Sequence, residues 1–172
     1  MFTCPKGCCS IYSEPYVNTK KSPTRAKSNK KSGMFIIYTK STIPFGCTND
    51  DFVLLVQSKG NLWGIPKGTF DKVDDNSPIK CAIREVYEET GFKINANELT
   101  RHYVIKNECN IYYVKMKSTP TPPISKKLPS NDVNGIGWFK LSCLRSLIKS
   151  KHIKLNYITN QCFRRYIQLN IY

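Results

Sequence analysis

The chain of 172 residues contains no run approaching the roughly eighteen apolar residues that span a bilayer, and its N-terminus lacks an apolar signal core. An intracellular, cytoplasmic protein without membrane contact is therefore expected. No glycine-rich phosphate loop or dinucleotide fingerprint is present, which argues against ATP or NAD as a bound cofactor. Histidine is scarce: His102 and His152 stand at no nucleophile or metal spacing, no Ser/His/Asp motif accompanies them, and both read as structural or surface groups. Acid is scarce as well, with 12 Asp plus Glu against 27 Lys plus Arg and a net charge of +15.

A chain this basic attracts phosphate backbones at long range, so RNA is a natural polymeric partner. Richness in Lys, Asn, Ile and Tyr is also what an AT-rich genome yields without selection for binding. The basic residues are concentrated at 20–33, which is polar and reads as a flexible arm, and at 149–168. In the second run Leu155, Ile158, Cys162, Tyr166 and Leu169 fall near helical spacing. Lys154, Arg164 and Arg165 lie off that face, where a packed terminal helix would present them to RNA.

Against this background, residues 63–92 hold six of the twelve acids. Three of them, Glu85, Glu88 and Glu89, are spaced to lie side by side on one helical turn. Like charges at that spacing cost a helix about 0.2–0.5 kcal/mol per pair unless a cation neutralises them. Hard oxygen ligands suit Mg2+ or Mn2+, ions that commonly handle substrate phosphates, although an ordinary solvated acidic face has the same pattern. The helix is signalled by Ser77 as cap, Pro78 at its first position and Gly91 at its end. Ile79, Ile83 and Val86 supply an inward face, and Arg84 is spaced to hold one carboxylate.

The segment REVYEETGF, with a glycine upstream, resembles the Nudix box, G-x5-E-x7-R-E-U-x-E-E-x-G-U, where U is aliphatic. Arg84, Glu85, Val86, Glu88, Glu89 and Gly91 match position by position, and Phe92 takes the last apolar place. Gly68 to Arg84 is two residues longer than the pattern, which leaves the early acid open among Asp71, Asp74 and Asp75. WGIPKG before the box and CAIREVYEETGF within it resemble the mRNA-decapping members, cellular and large-virus. NDVNGIGWFKL at 131–141 adds a further likeness and puts Asp132 at the place of a downstream catalytic glutamate. The resemblance spans about 34–141.

That resemblance implies an α/β fold, the Nudix α/β/α sandwich with a mixed sheet, and a metal-dependent hydrolase of nucleoside diphosphates linked to another group. It implies Mg2+ or Mn2+ held by Glu85, Glu88, Glu89 and the Gly68 carbonyl, with Lys67 on substrate phosphate and Arg84 and Trp63 supporting the site. Asp132 or a box glutamate would serve as general base, with Glu108 a weaker candidate. Capped RNA would be the substrate. The alternatives are a diadenosine or diphosphoinositol polyphosphate hydrolase, since PKG is shared with the former, and a catalytically silent RNA-binding module. Trp63 and Trp138 also suit a core role. Cellular decapping enzymes carry an N-terminal helical regulatory domain, for which the residues before the first expected strand leave no room.

Three units are expected: an N-terminal arm over 1–33 with cysteines and basic residues, a hydrolase domain over 34–150, and a basic C-terminal helix over 151–172 packed on it. Strands are predicted at 34–39, 52–57, 99–106, 110–116 and 136–139, helices at 77–90, 141–150 and 155–169, and a proline-rich loop at 118–132. Of eight cysteines, Cys47, Cys81, Cys109, Cys143 and Cys162 are scattered, mostly in apolar patterns, as reduced core cysteines would be. Cys4, Cys8 and Cys9 in CPKGCC are close enough to bind zinc with a fourth ligand such as Cys47, although C-x-x-C pairing is absent.

Overall fold

The computed structural model describes residues 4–14, 30–40, 50–58, 61–74, 77–105, 109–117, 124 and 133–169. Its central strand is β2 (Lys31–Lys40), whose side chains are apolar on both faces because both faces are covered. Met34, Ile36 and Tyr38 point to one side, and Phe35 and Ile37 to the other. β2 pairs antiparallel with β3 (Asp50–Ser58) and parallel with β7 (Cys109–Lys117), so the sheet is mixed. With β1 (Ser10–Ser13), β6 (Leu99–Ile105) and β8 (Val133–Lys140), the order is β1-β8-β3-β2-β7-β6. Short strands β4 (Leu62–Gly64) and β5 (Lys67–Thr69) pair with β3 and β2, and β9 (Lys154–Leu155) runs parallel to β4.

Helix α1 (Pro78–Thr90) covers one face, where Ala82 and Val86 are buried with Met34, Ile36, Leu54, Val56 and Trp138. Helices α2 (Leu141–Lys149) and α3 (Tyr157–Leu169) cover the other. There Cys143, Leu144, Leu147 and Cys162 join Phe35, Ile37, Val53, Leu55, Trp63 and Phe139. The expected α/β/α sandwich with a mixed sheet is the observed architecture.

Every predicted strand and helix is present, with no end moved by more than three residues. The strand expected from 34 begins at Lys31, and Ser10–Ser13 form an edge strand on β8. Lys31–Gly33 and the short β1 carry little apolar pattern of their own and are ordered by pairing partners distant in sequence. Gly33 is required there, since a Cβ would meet Lys67 Cβ at 2.5 Å and the Pro66 carbonyl at 2.7 Å.

Candidate active site

The start and stop of α1 follow its sequence signals. The Ser77 hydroxyl accepts the Lys80 N–H at 3.4 Å, Pro78 opens the helix, and Gly91 closes it at φ 75° with its N–H on the Tyr87 carbonyl. With Ala82 and Val86 buried, Glu85, Glu88 and Glu89 are left toward β5 and solvent.

β5 brings the PKG segment to those acids. It pairs with the start of β2, Ser32 opposite Gly68, and the Met34 N–H donates to the Pro66 carbonyl at 3.0 Å. The Lys67 N–H donates to Glu89 Oε2 at 3.0 Å. The Glu85 carboxylate lies directly over the Gly68 Cα, in the space a Cβ would fill. The Cys81 thiol makes a long, weak contact with the Gly68 carbonyl at 3.8 Å.

Arg84 organises the remaining acids. Its Nε and Nη2 form a two-pronged pair with Asp74 at 2.9 and 2.8 Å, while Nη1 reaches Glu85 at 2.8 Å and Glu88 at 2.9 Å. Nη2 also donates to the Thr69 carbonyl at 3.1 Å, tying the guanidinium to the end of β5. Among the candidates for the early acid, the buried Asp74 meets Arg84. Asp71 is exposed and meets Asp74 through its backbone N–H, and Asp75 lies outside the described residues. Gly68 to Asp74 has the G-x5 spacing, so the two extra residues fall between Asp74 and α1.

The charges respond to these neighbours. Arg84 hydrogen bonds hold the Asp74 carboxyl below its ordinary range against the opposing effect of burial. Burial raises Glu85, more than Arg84 beside it lowers it. Burial, with Asp74 and Glu85 adding to it, pushes the Cys81 thiol up to about 12, so it stays protonated at neutral pH. The donor set of Glu85, Glu88, Glu89 and a backbone carbonyl is all hard oxygen, the chemistry that Mg2+ and Mn2+ take. It fits such an ion.

The other sequence-derived candidates divide. Trp63 is buried and packs edge-on against Phe139 at 4.8 Å between centroids, which makes it core. Arg164 and Arg165 are exposed on α3, across the sheet from α1, and Arg165 sits 4.7 Å over the Tyr103 ring. Asp132 and Glu108 lie outside the described residues. His102 is exposed and stacks on Tyr112, and His152 is exposed beside the Ser150 hydroxyl. Two residues without a sequence signal couple α3 to the loop. The Asn156 N–H donates to the Trp63 carbonyl at 2.9 Å, and the Ile65 N–H donates to the buried Thr159 hydroxyl at 2.9 Å.

An acidic helix pinned by arginine beside a glycine-bearing strand, on an α/β/α sandwich, defines a class of phosphoanhydride hydrolases. A family model described as the NUDIX domain matches residues 40–160, and the chain belongs to that family. It is a Nudix hydrolase acting on pyrophosphate bonds, a family that uses divalent metal ions. A putative hydrolase of Invertebrate iridescent virus 3 is 33% identical over 147 residues, covering 81% of this chain and 77% of that protein. The mRNA decapping complex subunit 2 of Schizosaccharomyces pombe is 38% identical over 93 residues, 52% of this chain and 12% of that protein. The m7GpppN-mRNA hydrolase of Caenorhabditis elegans is 32% identical over 115 residues, 61% of this chain and 14% of that protein. The chain thus spans a small part of the decapping proteins' length. Among solved structures, the NUDIX domain of Shewanella oneidensis NrtR, complexed with ADP ribose, superposes with a TM-score of 0.56 at 15% identity. It covers 87% of this chain and 93% of that one.

Proposed function

We propose that the protein is an mRNA-decapping pyrophosphohydrolase, which cuts the cap bridge to give 7-methylguanosine diphosphate and RNA with a 5′ monophosphate. One observation carries the reading. The two segments that resemble decapping enzymes, WGIPKG and the box helix, are joined by the bond from the Lys67 N–H to Glu89. That bond sets the PKG backbone against the acidic helix. Likeness to decapping proteins over this part of the chain favours capped RNA over diadenosine or inositol pyrophosphates.

In this mechanism Glu85, Glu88, Glu89 and the Gly68 carbonyl would hold Mg2+ or Mn2+. The ion, when bound, supplies charge neutralisation to the pyrophosphate and acidifies a water. Arg84 holds Glu85 and Glu88 against their mutual repulsion and is itself anchored by Asp74. The Lys67 ammonium counters charge on the substrate phosphates. A box glutamate or Asp132 takes the proton as the water oxygen bonds to phosphorus and the bridging P–O bond breaks. Arg164 and Arg165 attract the RNA body on the far side of the domain.

The test is release of methylated guanosine diphosphate from cap-labelled RNA with Mg2+ or Mn2+. Glu89→Gln is expected to lose about 10²–10⁴-fold in turnover. Its circular dichroism should be unchanged, because the glutamine carbonyl still accepts the Lys67 N–H. No release from capped RNA, together with turnover of diadenosine or inositol pyrophosphates, would overturn the reading.

A further inference from the structure

On the sheet face opposite α1, four cysteine sulfurs converge. Cys4, Cys8 and Cys9 come from the CPKGCC segment before β1, and Cys143 comes from the first turn of α2. All four Sγ atoms lie within 4.8 Å of one another. Cys4 to Cys143 is 3.6 Å, Cys4 to Cys8 is 3.7 Å and Cys8 to Cys9 is 3.8 Å. Bonded sulfurs would stand about 2.0 Å apart, so none of these pairs is a disulfide. Four thiolates bound at about 2.3 Å around a tetrahedral zinc are separated by about 3.8 Å along each edge. The three closest separations match that edge.

The backbone is shaped to present the sulfurs. Gly7, at φ 63° and with its N–H on the Cys4 carbonyl at 3.0 Å, folds the chain so that Cys4 and Cys8 address one point. Cys143 is buried and its three partners are half-buried. The fourth position suggested from sequence, Cys47, lies outside the described residues, and Cys143 completes the set.

We propose that Cys4, Cys8, Cys9 and Cys143 form a structural Zn2+ site that fastens the N-terminal segment to α2. Four sulfurs fill a tetrahedron and leave no open position, so the ion is a cross-link and not a reaction centre. It links the segment that continues into β1, at the edge of the sheet, to the helix that follows β8. Metal binding then contributes directly to the folding free energy of this corner.

The experiment is metal analysis of the full chain purified under reducing conditions without chelator, followed by replacement of the bound ion with Co2+. One zinc per chain is expected, with sulfur-to-cobalt charge-transfer bands and the visible bands of a tetrahedral site, which carboxylates of the α1 cluster do not produce. Cys143→Ser and Cys8→Ser are each expected to lose about 90% or more of the zinc. Cys47→Ser should keep it. Wild-type protein that carries no zinc and gives no thiolate bands with Co2+ would overturn the proposal. So would full zinc content in both Cys143→Ser and Cys8→Ser.

Discussion

Arg84 is the residue around which the acidic cluster is arranged, and each of its partners behaves differently. Asp74 is buried with a side-chain exposure of 2%, whereas Glu88 is 51% exposed, so the Asp74 pair contributes most to stability. Its carboxyl is held below the ordinary value of 3.8. A depressed folded value means that the stabilisation is fully present above about pH 4 and fades as the pH falls below it. The gap in urea midpoint between wild type and Asp74→Asn should therefore be widest near neutrality and narrow in acid; a constant gap would contradict the pairing. Gly68 makes a different kind of contribution, since the Glu85 carboxylate occupies the space of its missing side chain. Gly68→Ala should displace Glu85 and lower kcat/KM by on the order of 100-fold while leaving circular dichroism intact. Near wild-type kinetics would mean that this close approach has no part in turnover.

Among the elements, α3 does more than cover the sheet. Its inward face carries Phe163 and Tyr166 onto Phe35 and Tyr113, and the Tyr166 hydroxyl donates to Asp51 at 2.7 Å. Its first turn is bonded to the loop that leads into the active-site strand. Asn156 also fills the space that a side chain at Gly64 would need, so helix and loop interlock. Thr159→Val keeps the shape but leaves the Ile65 N–H without its acceptor, at a cost of about 1–3 kcal/mol. A lower urea midpoint should be accompanied by a raised KM, because the PKG segment follows immediately. An unchanged midpoint would show that this bond does not support the loop.

Charge acts across the entire chain. A net charge of +15 creates a long-range attraction for polyanions that salt screens. For capped RNA of tens of nucleotides, kcat/KM should fall steeply with salt, whereas a free cap dinucleotide should show a much flatter dependence. Replacing Arg164 and Arg165 together by alanine should reduce the slope for long RNA by about 1.4, since each phosphate contact on a single strand contributes about 0.7. Equal slopes for the long and short substrates would mean that the basic surface does not engage RNA.

Local patterns carried a large share of this fold. Alternating and continuous apolar runs marked β2, β3, β7 and β8, and capping residues marked α1, because those signals arise within a few neighbouring residues. The box motif likewise named the helix, its acids and its arginine. Other features depended on residues far apart in the chain. Asp74 acquired Arg84 as its partner, and Cys143 joined the N-terminal cysteines across 134 positions or more. Thr159 and Asn156 acquired their partners when α3 docked on the WGIPKG loop. Periodicity and caps are short-range properties that the chain specifies directly, whereas partner choice is decided when the sheet and its covering helices bring distant segments within hydrogen-bonding reach.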